Sequence, residues 1–419
     1  MSADADPTAA GAQAPVGAAD RIAALDVLRG FALLGIFIMN MPGFSHSMFA
    51  APTPPRGAID SLAAALRDLL FAGKFNLLFG LVFGIGFAIQ MARLDDAEAG
   101  RAARLGIAPR RHRATQVYAR RLAFLFFVGL VHAMLIWSGD VLLIYALVGF
   151  ALLGLRRLGD RTLFALIAAC LVFPALTEGL RFAMVSRGFD AVATFQYQQL
   201  QASNDVAYGG GSFLDAMRET ARVFNWSWRS PFGLFTYAAF FVQMATGILI
   251  GFVVGRRGWP RRPLTDADDE RDATRAALLI AIGCGLMELT SFFTGSEIGL
   301  LASALARTIG RASLAACYAL VVVRIVRDHH ELPRWLRPLR DAGRMPLSNY
   351  LLQTALATFV FYGWGLGFWN SVGPAAEVAL AIALFVAIQL PLSHFWLKRF
   401  RYGPLEYLWR RFTYGSAPR

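Results

Sequence analysis

The sequence predicts an all-α, polytopic integral membrane protein with about ten transmembrane helices and both termini in the cytoplasm. Three observations predict this fold class. Of the 419 residues, 56% are hydrophobic and only 16% are charged, whereas charged residues make up about a quarter of a soluble domain. The apolar residues fall in runs long enough to cross a bilayer. The basic residues, all arginine except Lys74 and Lys398, concentrate between alternate runs, as cytoplasmic loops require.

Ten apolar runs approach the roughly 20 residues that a helix needs to cross the hydrocarbon core. They cover residues 25–44, 68–92, 118–138, 140–156, 161–185, 231–255, 273–294, 298–324, 345–367 and 373–396. With the N-terminus inside, 31 of the 41 basic residues fall in cytoplasmic segments, which supports an even number of spans. The fourth run is short, so we expect it to tilt or to insert only partly.

The segments outside these runs divide into three kinds. Residues 1–20 are rich in Ala, Gly, Pro and Asp and are predicted to be a disordered tail, so that residues 21–415 form one transmembrane domain. On the outer side, 45–66 is a Pro-rich loop, and 186–230 contains apolar residues at helical spacing after a candidate N-cap, Ser212. This amphipathic segment is either an anchor on the outer membrane surface or a lid. From about residue 398, Arg, Trp and Tyr predict a cytoplasmic interfacial tail.

Composition also excludes several classes of protein. The net charge of +13 is explained by membrane topology, and no nucleic-acid partner is expected. The three cysteines all lie within apolar runs and lack the spacing of a metal site, so no metal is expected. Neither a GxGxxG loop nor a Walker loop occurs, which argues against a nucleotide-driven pump. Small residues at Gly80 and Gly84, and at Gly247, Gly251 and Gly255, predict close helix packing, and Gly363 and Gly367 share that spacing.

Ionisable groups within membrane spans are costly and usually paired or functional. In the first span, Asp26, Arg29 and Asn40 share one helix face, and the i,i+3 spacing predicts an Asp26–Arg29 salt bridge near the cytoplasmic end. His46 follows in the outer loop. Glu288 and Arg307, on neighbouring antiparallel spans, are predicted to pair.

The region from residue 118 to 147 carries the densest polar pattern. Arg120 and Arg121 lie at its cytoplasmic end, and His132 is about 18 Å further along at 1.5 Å per residue. Asp140 lies at the outer turn, and Tyr145 lies in the next span. A histidine within a helix is often a packed, hydrogen-bonded residue, so a structural and a catalytic role for His132 both remain open.

Four further residues in the last spans are candidates for binding. Arg311 lies near mid-membrane, where an arginine is expected to line a wet cavity or bind an anion. Arg344 precedes a helix whose free backbone N–H groups also favour anions. Asn349 and Gln353 share a face of that helix, and interhelical hydrogen bonding explains these amides as well as substrate binding does.

Five sequence blocks carry a resemblance to a known family. LDVLRGFALLGIFIMN, GKFNLLFGLVFG, LVHAMLIWSGDVLLIYAL, GRMPLSNYLLQT and RYGPLEYLWRRFTY together resemble the YeiB family of bacterial inner-membrane proteins, also called domain of unknown function 418. The blocks occur in the family's order and extend from about residue 21 to 415. The resemblance implies a multi-pass protein of the bacterial inner membrane, and it brings no established activity.

The opening LDVLRG…MN also resembles the first helix of the transmembrane acyltransferases, including heparan-α-glucosaminide N-acetyltransferase. Those proteins move an acyl group from cytoplasmic acyl-CoA to an acceptor on the far side, with a histidine near the outer end of that helix. The resemblance implies His46 as the nearest catalytic match. It also implies acyl-CoA as a co-substrate, with no covalently bound cofactor.

Under that hypothesis every candidate residue has a role. His46 or His132 is the general base, aided by Asp140, since the pKa of histidine suits proton transfer at neutral pH. The CoA phosphates are expected at cytoplasmic arginines; these are Arg29, Arg120, Arg121 and Arg344. The candidate substrate-binding residues are Asn40, Tyr145, Arg311, Asn349 and Gln353.

A secondary transporter of a small or anionic solute is the alternative function. Arg307, Arg311 and Glu288 within the membrane, and a break expected near Gly80–Gly86, suit an anion path. The sequence shows no inverted repeat, which is the signature that many such transporters carry. A non-catalytic binding or scaffold protein of the bilayer is the third hypothesis, and the oligomeric state is not indicated by the sequence.

Overall fold

The computed structural model describes residues 18–50, 57–108, 112–185, 189–259, 267–294, 297–329 and 331–414. Within these ranges the chain is overwhelmingly helical and contains no β-strand, which confirms the all-α fold class. Nearly all of the predicted disordered tail, residues 1–20, lies outside the described residues. The side chain of Glu288 also lies outside them, so the Glu288–Arg307 pair stays a prediction.

Sixteen α-helices follow one another in the described residues, and each of the ten predicted spans overlaps at least one of them. The helices are α1 (Ala18–Ser45), α2 (Ala58–Leu70), α3 (Lys74–Leu105), α4 (Arg113–Leu135), α5 (Leu142–Leu155), α6 (Asp160–Val185), α7 (Phe189–Gly209), α8 (Phe213–Arg229), α9 (Pro231–Arg256), α10 (Ala267–Thr294), α11 (Glu297–Arg327), α12 (Arg337–Arg344), α13 (Pro346–Phe361), α14 (Pro374–Leu384), α15 (Leu390–Arg399) and α16 (Pro404–Tyr414). A π-helical segment, Phe385–Gln389, joins α14 to α15.

Length and hydropathy make the chain a polytopic membrane protein. In the described ranges, seven helical segments are long and apolar enough to cross a membrane, and Leu142–Leu155 is a shorter apolar helix. Exposed apolar side chains on the outside of the bundle, such as Leu279 and Leu286 on α10, are those expected to face lipid. The centre of the bundle is α1, in which Leu28 and Phe37 are completely buried.

The second span differs most from its prediction. The expected outer loop 45–66 contains the start of α2, and three residues, 71–73, separate α2 from α3. Gly73 has a φ of 76°, a left-handed conformation that glycine adopts without strain. The ring of Phe75 packs against Gly35, ten residues or about 15 Å below the outer end of α1. The second span is therefore a discontinuous helix that is broken near mid-membrane.

The break expected near Gly80–Gly86 is absent, because α3 continues through these residues and packs tightly on α9. A Cβ atom at Gly84 would lie 2.1 Å from the carbonyl oxygen of Ile248, and one at Gly251 would lie 2.0 Å from that of Leu81. The small residues thus bring two backbones together, as predicted. Helix α13 ends at Phe361 instead of residue 367, so Gly363 and Gly367 lie beyond it.

The outer segment 186–230 contains two helices, α7 and α8, where one was predicted. Ser212 is the N-cap of α8 as expected: its hydroxyl accepts a hydrogen bond from the backbone N–H of Asp215, whose carboxylate accepts one from the N–H of Ser212. The Ser212 hydroxyl and N–H hold the pKa of Asp215 below its usual value. Glu219 is buried against the protein, while Phe213 and Leu214 are exposed, an arrangement that favours an anchor over a lid.

Candidate active site at the outer end of the first helix

His46 directly follows α1, and its backbone N–H continues the helical pattern by donating to the carbonyl oxygen of Pro42 at 3.0 Å. Its ring Nδ1 lies 2.6 Å from Oγ of Ser45 and 3.2 Å from Oε1 of Glu377. The Ser45 hydroxyl donates to the same Oε1 at 2.5 Å. The His46 side chain is 28% exposed and that of Glu377 only 2%. One edge of the ring is therefore fixed by a buried carboxylate, and the other is accessible.

Glu377 lies in the first turn of α14 and is held from the α2 side. Nη1 of Arg67 lies 3.2 Å from its Oε2. Oδ1 of Asp60 accepts a hydrogen bond of 3.1 Å from the backbone N–H of Ala375, so α2 also caps the start of α14. Asp60 and Arg67 of α2 thus face the protein, and Arg67 fixes the carboxylate that contacts His46.

This geometry is the one a general base needs. With the proton on Nδ1, His46 donates to Ser45, which in turn donates to Glu377, and the Nε2 lone pair is left to accept a proton. No hydrogen bond to Nε2 occurs within the described part of the chain. Ser45, Arg67 and Glu377 were not among the site residues predicted from the sequence. Glu377 is the single acidic residue between 373 and 396, and an intramembrane carboxylate is itself a signal of function.

His132, in contrast, is sealed inside the bundle. It is 1% exposed, its Nδ1 lies 2.8 Å from Oδ1 of Asp140, and its Nε2 lies 3.0 Å from the hydroxyl of Thr354. The other carboxylate oxygen of Asp140 accepts a hydrogen bond from the N–H of Leu143 at 2.8 Å, and the Tyr350 hydroxyl is 3.4 Å from Oδ1. Both ring nitrogens have hydrogen-bond partners, which favours a structural role for His132 over a catalytic one.

Three candidate substrate residues make hydrogen bonds within the protein core. The Tyr145 hydroxyl donates to the carbonyl oxygen of Asn76 at 3.0 Å. Nε2 of Gln353 donates to Oε1 of Gln389 at 3.1 Å, and Nε2 of Gln389 donates to the carbonyl oxygen of Asn349 at 2.9 Å. These bonds join α13 to the π-helical segment. Nδ2 of Asn349 also donates to the carbonyl oxygen of Ala342 at 3.1 Å, so the structural interpretation of both amides is favoured. Asn40 is partly buried on α1.

Arg311 lies beside the break in the second span. A Cβ atom at Gly73 would lie 2.8 Å from Cδ of Arg311 and 2.7 Å from Nε2 of Gln243. Lys74, which begins α3 and is 9% exposed, donates from Nζ to the carbonyl oxygen of Asp68 at 2.7 Å. The structure therefore brings two cationic side chains to a mid-membrane helix break.

The predicted cytoplasmic arginines do not form one site. Arg29 makes the predicted salt bridge with Asp26, at 2.6 Å. The guanidinium of Arg121 stacks 3.9 Å from the ring centroid of Trp409 on α16, whereas Arg120 is exposed and lines a cleft beside the end of α16. Residues adjacent in sequence differ by about 100° around a helix, so Arg120 and Arg121 face different surroundings.

The anion site expected at the start of α13 is filled by the chain itself. Oε1 of Glu406 accepts hydrogen bonds from the backbone N–H groups of Leu347 and Ser348, at 2.8 and 3.1 Å. Burial raises the pKa of Glu406, and hydrogen bonds from Ser348 and Leu347 oppose that shift. Arg344 is exposed and lies 3.8 Å from Asp341. The helix N-terminus therefore anchors α16, and Arg344 is separate from it in function.

Comparison with known proteins identifies relatives over nearly the whole chain. The uncharacterized protein YxaH of Bacillus subtilis (strain 168) is 32% identical over 410 residues, which are 95% of each chain. The uncharacterized protein YeiB of Escherichia coli (strain K12) is 27% identical over 432 residues, 95% of this chain and 97% of YeiB. No solved structure matches. The family described as protein of unknown function, DUF418, matches residues 254–416. The chain therefore belongs to the DUF418 family, to which the resemblance to YeiB also pointed.

Proposed function

We propose that this protein is an acyltransferase of the bacterial inner membrane that transfers an acyl group from cytoplasmic acyl-CoA to an acceptor on the outer side. The observation that carries the proposal is the contact between His46 and Glu377. A buried carboxylate orients one ring nitrogen and leaves the other exposed, which is how general bases of acyl transfer are held.

In the proposed step, a hydroxyl or amine of the acceptor attacks the thioester carbonyl carbon while Nε2 of His46 takes its proton. The tetrahedral intermediate then collapses, the carbon–sulfur bond breaks, and the thiolate of CoA receives the proton from His46. The products are the acylated acceptor and CoA. Glu377 stabilises the imidazolium that forms between the two proton transfers, acting through Nδ1 and Ser45.

The buried network of His132 acts as support for this site. Trp137, in the turn between His132 and Asp140, donates from Nε1 to the carbonyl oxygen of Gly43 at 3.2 Å, and its ring centroid lies 4.2 Å from that of Phe44. The turn that His132 and Asp140 rigidify thus packs on the last turn of α1, directly before His46. We assign His132 and Asp140 as positioning residues.

Inside-out membrane vesicles test the proposal, because they present the cytoplasmic face to added acetyl-CoA labelled in the acetyl group. Labelled acetyl groups should appear in membrane extracts as products that carry no CoA. We expect His46→Ala to lower this incorporation by about 10²–10⁴-fold, the range for loss of a general base. His329→Ala is the matched control, because His329 is exposed and, among the described residues, its ring contacts the carbonyl oxygen of Ile325 in its own helical turn. Equal incorporation by wild type and His46→Ala would contradict the proposal.

The break in the second span favours a second candidate function, transport of an anionic solute. Discontinuous helices at mid-membrane commonly form the solute sites of transporters, and Lys74 and Arg311 supply positive charge there. Counterflow of labelled phosphate, lactate or glutamate in proteoliposomes tests this function. Transport predicts uptake that is lost in Lys74→Met and retained in His46→Ala, whereas the acyltransferase predicts no uptake of these solutes.

A further inference from the structure

At the predicted cytoplasmic end, a cleft of about 700 Å³ separates the start of α4 from the end of α16. Its volume falls within the range of about 300–1,000 Å³ typical of sites for small molecules and cofactors. The polar side chains that line it are His112, Arg113, Gln116 and Arg120 on the α4 side, and Thr413 and Tyr414 on the α16 side.

The α4 side of the cleft is a positively charged helix face. Arg113, Gln116 and Arg120 are spaced by three and four residues and therefore share one face. Arg120 is exposed, and Arg113 lies 3.5 Å from Glu98, whose carboxylate is engaged at 2.6 Å by Arg101. Among the described residues that line the cleft, none is acidic. The cleft thus presents two arginines, of which Arg113 shares Glu98 with Arg101, and no carboxylate among its described lining residues.

The α16 side of the cleft is a fixed wall. Glu406 anchors the start of α16 to the N-terminus of α13, and Nε1 of Trp409 donates to the carbonyl oxygen of Arg121 at 2.8 Å. At the far end, the Tyr414 hydroxyl accepts a hydrogen bond from Gln90 at 3.0 Å, with its side chain exposed. These contacts hold an aromatic ring opposite the arginines.

We propose that this cleft binds the phosphate groups of a ligand that arrives from the cytoplasm, with Arg113 and Arg120 contacting the phosphates. Arginine is suited to this role because its planar guanidinium contacts two phosphate oxygens at once. The assignment rests on the proposed function for the identity of the ligand, which is then the nucleotide end of acyl-CoA, with Tyr414 stacking against its adenine. The phosphate site thereby involves Arg113 in place of Arg121, which stacks on Trp409.

Calorimetric titration of the full-length protein in nanodiscs of phosphatidylcholine tests this site. The probes are CoA, adenosine 3′,5′-bisphosphate and inorganic phosphate. We expect Arg113→Gln combined with Arg120→Gln to raise the Kd of adenosine 3′,5′-bisphosphate at least about tenfold, and to weaken its dependence on salt, because two charge-assisted contacts are lost. Arg104→Gln combined with Arg275→Gln is the control. It removes the same net charge at exposed positions outside the cleft, and it should leave the Kd unchanged.

Two further measurements separate a nucleotide from a lipid headgroup. Tyr414→Leu should weaken the binding of adenosine 3′,5′-bisphosphate and leave that of inorganic phosphate unchanged if the ligand is a nucleotide. If the phosphate belongs to a lipid, phosphatidylglycerol in the nanodisc should raise the Tm of wild type but not that of the cleft double variant, and the nucleotide should not bind. The site is refuted if neither the nucleotide nor the lipid distinguishes wild type from that variant.

The outcome for the cleft is independent of the outcome for His46. Loss of nucleotide binding in the cleft variant, with unchanged acetyl incorporation in His46→Ala, would leave the phosphate site standing and remove the acyltransferase mechanism. Incorporation that depends on His46, with unchanged nucleotide binding in the cleft variant, would retain the mechanism and place the donor elsewhere.

Discussion

Replacing Glu377 by Gln tests the electrostatic core of the candidate site. The carboxylate is 2% exposed, the Arg67 side chain is 17% exposed, and their charged atoms lie 3.2 Å apart. At an effective dielectric constant of about 20, two unit charges at that distance attract by about 5 kcal/mol, and desolvation cancels much of this gain. Glu377→Gln removes the buried partner of Arg67 and leaves it with the exposed carboxylate of Asp68, at 3.0 Å, so we expect a loss of about 3 kcal/mol in unfolding free energy, the low end of the range for breaking a buried pair.

A double-mutant cycle isolates the pairwise part of that loss. Adding Arg67→Gln should recover about 1.5–3 kcal/mol, the usual contribution of a hydrogen bond that involves charged groups. Unfolding in mixed micelles, followed by tryptophan fluorescence, measures each variant. The control is the same cycle at Asp215 and Arg218, whose side chains are 50% and 70% exposed, where we expect no measurable coupling. Simply additive losses at Glu377 and Arg67 would refute the reasoning.

Three other predictions follow from contacts elsewhere in the bundle. Asp140→Ala leaves the ring of His132 and one backbone N–H without an acceptor, so unfolding in micelles should show a loss of about 1–3 kcal/mol for each buried group, and Asp140→Asn should lose less. Gly84→Leu places a side chain against the backbone of α9 and should lower the unfolding free energy by at least about 1–3 kcal/mol. If the packing fails completely, gel filtration should show aggregate in place of folded protein. Gly154→Leu is the control, because a Cβ atom at Gly154 meets no atom within 4 Å. Glu406→Ala should release α16, and limited proteolysis should then cut the chain after residue 399 faster than in wild type.

The spans were predictable because each is an apolar run, and an apolar run of that length is stable in a bilayer as a transmembrane helix. Helix α2 was missed because Asp60 and Arg67 face the protein while apolar residues, such as Ile59 and Leu62, are exposed. A segment with charges at Asp60, Arg67 and Asp68 resembles a loop when only average hydropathy is considered. Asp60 and Arg67 face inward because α14, more than 300 residues later, supplies their partners.

In the candidate site, too, residues that a local sequence pattern marks were predicted, and partners that are distant in sequence were not. His46 was found through a resemblance confined to the first helix, but its partner Glu377 lies in the last span, and no helical periodicity relates the two. The start of α13 was expected to attract an anion because its backbone N–H groups are free within the helix. That the anion is Glu406, from the chain's own C-terminal helix, follows from tertiary packing alone.

The two halves of the second span, α2 and α3, are attached to different helices. Asp60 and Arg67 fasten α2 to the first turn of α14, whereas glycines lock α3 to α9. The outer half of the span is therefore fixed to α14 and the inner half to α9, and residues 71–73 join the two halves. Because Arg67 lies only six residues before Gly73, any change in the angle between α2 and α3 would act on the carboxylate that orients His46. The geometry of the outer site is thereby coupled to the backbone at the middle of the membrane.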